Sequence, residues 1–142
     1  MPRHYFAYGS NMDPEQFGSR CPESRVLGPA TLAHHRFFIT ARGYASIEPS
    51  VGSRVHGVLA ELTEPDEASL DYFEGVRHFI YRKESMAVVW DGGELSALVY
   101  VDNESAQGRP KPGYLERVLR GARHHGLSPD AVQEIEAWGA NR

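Results

Sequence analysis

The chain has 142 residues, with 15 Lys and Arg against 19 Asp and Glu, a formal charge of −4 and 41% hydrophobic residues. That length suits one domain, residues 1–142, whose core can fold without a disulfide or a metal. The acidic balance argues against a general nucleic-acid binder, no apolar run reaches the ~20 residues of a membrane span, and the single cysteine, Cys21, excludes an internal disulfide.

The N-terminal "MPRHYFAYGS" lacks the apolar core and small-residue cleavage site of a signal peptide, so a cytoplasmic location is the default expectation. "HYFAYG" predicts a short buried strand, ended by Gly9, Ser10 and Asn11. "NMDPEQFGSR" predicts a helical turn or two, with Asp13 as cap and Pro14 at the first helical position. "RVLGPATLAHHRFFIT" is strand-like and broken at Gly28-Pro29. "YASIEP" and "RVHGVLAEL" predict two further strands, with Gly57 as a bulge or a point of close approach.

The period then changes. "TEPDEASLDYFEG" predicts a helix with Thr63 as N-cap, acids in the first turn and Gly75 just past its end. "YRKESMAVVW" and "ELSALVYVD" predict a hairpin about Asp91-Gly92-Gly93, with Leu95, Ala97, Val99 and Val101 alternating on one face. "NESAQGRPKPG" is a polar loop, and a lid over a binding site is one use for a loop of this kind. Two helices close the chain. The first carries Leu115, Val118, Leu119 and Ala122 on one stripe and ends at Gly126. The second has Ser128 as cap, Pro129 at its first position, and Val132, Ile135 and Trp138 on one stripe. Strands are not regularly alternated with long helices, which disfavours a doubly wound parallel sheet. The expectation is α+β: a curved or barrel-like mixed sheet with helices packed around it.

Most familiar catalytic motifs are missing. Ser10 lies in "YGSNM", where Tyr8 and Met12 stand in place of the glycines of a G-x-S-x-G elbow. There is no P-loop and no G-x-G-x-x-G. His34-His35 and His124-His125 are adjacent pairs, and neighbouring residues point in different directions, so no metal site is expected. Cys21 has no base nearby in sequence and suits a partly buried thiol.

Two features remain. In "YGSNM", small residues after a strand let successive N–H groups converge on an anionic atom, while the Ser10 hydroxyl and Asn11 amide add polar groups. Local pattern alone fits an ordinary strand-ending turn as well. The second is Glu74 in "SLDYFEGV". At helical spacing it shares a face with Leu70 and Phe73, which puts an acid at the edge of a buried stripe. Burial and the C-terminal end of the helix dipole both act to raise its pKa, as a general base at neutral pH requires. A solvated acid beside a C-cap glycine is the plain alternative.

"YFAYGSNM", "LDYFEGV", "YASIEP" with "VHGVLAELT", Tyr81 in "FIYRK", and the closing "PGYLERVLRGARHHGLSPDAVQEIEAW" occur in one order. Together they resemble the γ-glutamylcyclotransferase family, also called AIG2-like or butirosin-biosynthesis G-like, from Tyr5 to about Trp138. The resemblance implies a small mixed β-barrel with flanking helices. It implies an enzyme that folds a γ-glutamyl compound on itself, so that the α-amino group attacks the γ-carbonyl and releases 5-oxoproline with a free amine or amino acid. It places Glu74 as general acid/base and Tyr8, Gly9, Ser10, Asn11, Met12, Tyr81 and Tyr114 around the substrate. No cofactor is implied, because the substrate carries its own nucleophile. The expected partner is a small γ-glutamyl compound, with no nucleic acid and no membrane; a homodimer stays open. A γ-glutamylamine cyclotransferase, an enzyme stripping a γ-glutamyl group from a biosynthetic intermediate, and a non-catalytic binding module are the alternatives.

Overall fold

A computed structural model describes residues 2–139. Five strands close into a barrel in the order β1-β3-β2-β4-β5. They are β1 (Arg3–Ala7), β2 (Arg25–Ile39), β3 (Ala45–Leu62), β4 (Tyr81–Trp90) and β5 (Gly93–Asp102). Four contacts are antiparallel, and β5 meets β1 in parallel where Tyr5 faces Leu98, so the barrel is mixed. Four helices surround it: α1 (Pro14–Arg20), α2 (Glu64–Phe73), α3 (Tyr114–His124) and α4 (Pro129–Ala137). This is the α+β architecture expected from the sequence. Among the described residues no helix is long and apolar enough to cross a membrane.

The strands follow from their residues, with two corrections. Gly28-Pro29 does not break β2. The register slips there between Val26 and Gly28, and Gly28 takes φ +145°, so a bulge absorbs the irregularity. "YASIEP" and "RVHGVLAEL" are one strand, β3. Its partnership with β2 jumps from Ala33–Arg54 to His35–Pro49, and residues 50–53 swing outward between the two blocks, leaving Val51 exposed. Gly57 is a point of close approach, because a Cβ there would stand 2.4 Å from the Ala7 carbonyl oxygen and 2.8 Å from the Phe6 ring. The hairpin turns through Asp91 and Gly92, both at positive φ, as a type I′ turn demands.

Helix ends obey their capping residues. Thr63 Oγ1 accepts from the Asp66 amide at 3.3 Å, and Ser128 Oγ accepts from the Ala131 amide at 3.2 Å. Asp13 precedes α1, but its side chain makes no capping bond. It is buried instead between Arg117 (3.0 Å) and Arg120 (3.2 Å) of α3. Helix α3 also packs its Gly121 directly on the Met12–Asp13 backbone, where an added Cβ would lie 2.4 Å from the Met12 carbonyl carbon. His125 Nε2 donates to the Met12 carbonyl at 3.0 Å. The segment that follows β1 is therefore gripped from outside by α3.

Candidate active site

Strand β1 ends at Ala7, and after Tyr8 and Gly9 the chain coils into a single 3-10 turn, Ser10–Met12. Its own hydrogen bonds begin with the Met12 amide on the Gly9 carbonyl (3.1 Å). The Ser10 and Asn11 N–H groups precede that bond and have no acceptor within the turn. Gly9 packs closely on Tyr114, since a Cβ there would come within 3.1 Å of the Tyr114 hydroxyl, which would have to shift by a few tenths of an ångström.

Helix α2 delivers Glu74. Its amide still bonds back to the Leu70 carbonyl (2.8 Å), so Glu74 caps the helix. Gly75 then reverses the chain at φ +64°, which glycine tolerates best. After the short turn Val76–His78, the Tyr81 amide returns to the Glu74 carbonyl at 3.2 Å. The backbone of Glu74 is thus fixed from both sides of a loop.

These pieces enclose a cavity of about 380 Å³. Gly9, Ser10, Asn11, Glu74, Tyr81 and Tyr114 are on its wall, with Tyr8. Met12 is not. The 3-10 turn directs its side chain into the core, 1% exposed, where it supports the turn from below. The loop after β5 contributes no wall residue. It runs along the Thr40–Gly43 segment, held by the Ala41 amide on the Ala106 carbonyl (2.8 Å) and the Gly108 amide on the Ile39 carbonyl (2.9 Å). Its Lys111 ammonium lies 5.8 Å from the ring centre of Tyr44, a wall residue.

Asn11 organises the polar centre. Its Nδ2 donates to Glu74 Oε1 (3.2 Å) and to the Tyr5 hydroxyl (3.0 Å). Its Oδ1 accepts from Gln16 Nε2 (3.0 Å) and Arg20 Nη1 (3.1 Å), both on α1. Two donors on one side of the amide dictate that the NH₂ side faces Glu74. Gln16 also donates to Ser10 Oγ at 2.6 Å.

Burial pushes the Glu74 carboxyl up to about 7, against the opposing pull of Arg20 and the Asn11 hydrogen bond, with Asp102 adding to the rise. Burial likewise raises the Tyr114 hydroxyl to about 12 and drives Tyr8 and Tyr81 well above the ordinary tyrosine value, so all three stay protonated. Their protons are used differently. Tyr8 donates to the Tyr100 carbonyl (2.6 Å) and Tyr81 to the Ala45 carbonyl (2.8 Å). Tyr114 accepts from the Ala45 amide (3.1 Å), which leaves its own proton to give. Tyr5, Gln16, Arg20, Phe73 and Tyr100 also form the wall and escape motif reading. Gln16 and Arg20 stand four apart on α1, a same-face spacing that was the available signal.

A family model described as γ-glutamyl cyclotransferase, AIG2-like, matches residues 5–117, well over half of the chain. The chain belongs to that family and is an enzyme of it. The family match takes in Glu74 and every residue of the cavity wall named above. Human γ-glutamylcyclotransferase is 28% identical over 96% of this chain and 79% of its own length; the bovine protein is 29% identical over the same shares. A solved γ-glutamyl cyclotransferase structure superposes with a TM-score of 0.90 at 26% identity, covering 96% of this chain and 88% of that one. YkqA from Bacillus subtilis superposes at 0.85 and 26% identity, covering 96% of this chain and 53% of its own. Among the described residues no group of three or more His, Cys, Asp or Glu side chains is placed to hold a metal ion.

Proposed function

We propose that the chain catalyses intramolecular cyclotransfer of a γ-glutamyl group, releasing 5-oxoproline and a free amine or amino acid. One observation carries this: Glu74, a carboxyl raised by burial to about 7, lines a cavity beside the Asn11 side-chain amide and the Gly9–Ser10–Asn11 backbone of the turn after β1. The α-amino nitrogen attacks the γ-carbonyl carbon of the same molecule. A C–N bond forms as the five-membered ring closes, and the bond to the leaving nitrogen breaks. Glu74 takes a proton from the attacking nitrogen and returns one to the leaving nitrogen, so it ends as it began. A carboxyl near 7 is well matched to both transfers at neutral pH.

The cavity supplies the fold of the substrate, and ring closure within one molecule gains much of its rate from that proximity. The Gly9, Ser10 and Asn11 segment offers amides to the oxyanion or the α-carboxylate. Tyr8 and Tyr81 have given their protons to the backbone, so their oxygens suit an ammonium. Tyr114 keeps a proton for an anionic or carbonyl oxygen. No cofactor enters, because nucleophile and electrophile lie in one molecule.

The test is 5-oxoproline release from γ-glutamyl amino acids and γ-glutamylamines by wild type and Glu74→Gln, with 5-oxoproline binding measured on both. Wild type is expected to turn over at least one class, and the variant to lose about 10²- to 10⁴-fold in rate while still binding product. A variant as fast as wild type removes Glu74 from the mechanism. An inert wild type that still binds 5-oxoproline makes the protein a binding module.

A further inference from the structure

Charge on the cavity wall is confined to Glu74 and Arg20. Arg20 is the last residue of α1. Its guanidinium lies between the Asn11 carbonyl oxygen, 3.1 Å away, and the Phe73 ring, 4.5 Å from the ring centre. Among the described residues it forms no ion pair, unlike Arg3, Arg25, Arg36 or Arg42. A guanidinium has five N–H donors in a planar fork, and its hydrogen bond to Asn11 engages one nitrogen. The rest suits a carboxylate.

Depth decides which carboxylate. Asn11 is 6% exposed and Phe73 50%, so the guanidinium spans from the inner wall toward the mouth. The reacting carbon has to lie by Glu74 and the turn after β1, and the glutamyl half curls up there with it. The leaving group then trails outward past Phe73 and Arg20. Resting on the cyclotransfer proposed above, we infer that Arg20 binds the carboxylate of the departing amino acid and thereby selects γ-glutamyl amino acids over γ-glutamylamines. Net charge agrees. A γ-glutamyl amino acid with an uncharged side chain carries two carboxylates and one ammonium, whereas a γ-glutamyl alkylamine is neutral. A cavity whose one cation, Arg20, has no ion-pair partner among the described residues favours the former.

The experiment compares kcat/KM for γ-glutamyl-alanine and γ-glutamyl-ethylamine, which differ only in that carboxylate. Wild type should prefer γ-glutamyl-alanine by about 10- to 100-fold, the range for a charge-assisted hydrogen bond. Arg20→Met should bring the ratio close to one, mainly through the KM for γ-glutamyl-alanine. Arg20→Lys should fall between, keeping the charge and losing the fork. Any effect of Arg20 on Glu74 through Asn11 enters both substrates alike and cancels in the ratio. A wild-type ratio near one overturns the inference. So does an unchanged ratio in Arg20→Met, including equal losses on both substrates, which would assign Arg20 to the α-carboxylate or to Asn11 alone. If wild type releases 5-oxoproline from neither compound nor from any other γ-glutamyl compound, the cyclotransfer itself fails and this inference falls with it.

Discussion

Glu74 is held off its ordinary pKa by burial, while Arg20 and Asn11 pull the other way. The balance sets two measurable pH effects. As a base it must be ionised, so kcat/KM should rise with pH through about 7 on the acid side. Asn11→Ala removes the donor that favours the carboxylate, so the same limb should move to higher pH, whereas a purely structural role for Asn11 would lower the plateau and leave the limb in place. Stability runs in the opposite direction. The folded pKa exceeds the unfolded one, so the folded state binds more protons between about 4.5 and 7, and stability falls as pH rises across that window. Glu74→Gln should therefore be more stable than wild type at pH 8, by ~1–3 kcal/mol, and nearly equal at pH 4. Urea unfolding at the two pH values reads this directly; a variant less stable at pH 8 would mean that the carboxylate is well solvated. Glu74 was legible in part: helical spacing put it one turn after Leu70, which is buried, and before a C-cap glycine, but Phe73 of the same expected stripe is half exposed at the cavity mouth. Asn11's partners were not, since Tyr5, Gln16 and Arg20 meet it only when β1 and α1 fold back on each other.

Helix α3 is remote from Glu74 in sequence, yet it fixes the turn that faces it. Gly121 lies on the Met12–Asp13 backbone, and Asp13 is buried between Arg117 and Arg120. Gly121→Ala would force a methyl into backbone atoms that cannot swing away, at a cost of ~1–3 kcal/mol. The displaced turn should also lower kcat/KM for 5-oxoproline release, measured below the variant's melting temperature. Asp13→Ala should destabilise by ~3–5 kcal/mol at the strong end, less as the half-exposed arginines turn to water, because it leaves two cations without their buried partner. Thermal melts of both variants check these values, and unaltered melting would show α3 to be loosely seated. Element ends with local signals read correctly from sequence: Thr63, Ser128, Gly75 and the Asp91-Gly92 turn each act through neighbours only a few residues away. Asp13 did not. Its position before Pro14 suggested a cap, and a long-range ion pair took the side chain instead. The Gly28-Pro29 signal likewise marked an irregularity correctly but not its kind. A bulge and a break look alike until the partner strand is known.

At the scale of the whole molecule, barrel closure is what brings the site together. Strand β1 lies between β3 and β5, and it alone carries the chain into the turn that faces Glu74. The pattern of elements pointed to a curved or barrel-like mixed sheet and the resemblance to a small mixed barrel, but the strand order and the closure by five strands lay outside local signals, since pairing such as Ala7 with Val58 depends on contacts across the chain. Gly57 is a point of close approach between β3 and β1. A Cβ there meets the Ala7 carbonyl at 2.4 Å and the Phe6 ring at 2.8 Å, so a methyl must push β1 away from β3 just before Tyr8 and Gly9. Gly57→Ala should lower stability by ~1–3 kcal/mol and weaken 5-oxoproline binding together, because one displacement causes both. Gly18→Ala is the matched comparison. Its added methyl meets nothing within 4 Å, and it lies in α1, where alanine is favoured over glycine by up to ~1 kcal/mol. That variant should melt slightly above wild type. Thermal unfolding with and without saturating 5-oxoproline gives both quantities, since a ligand that binds only the folded state raises the midpoint by mass action. Loss of stability in Gly57→Ala with a full ligand-induced rise would mean that the turn after β1 holds its place independently of the strand. Loss of both would establish that the closed barrel, and not the turn alone, sets the geometry facing Glu74.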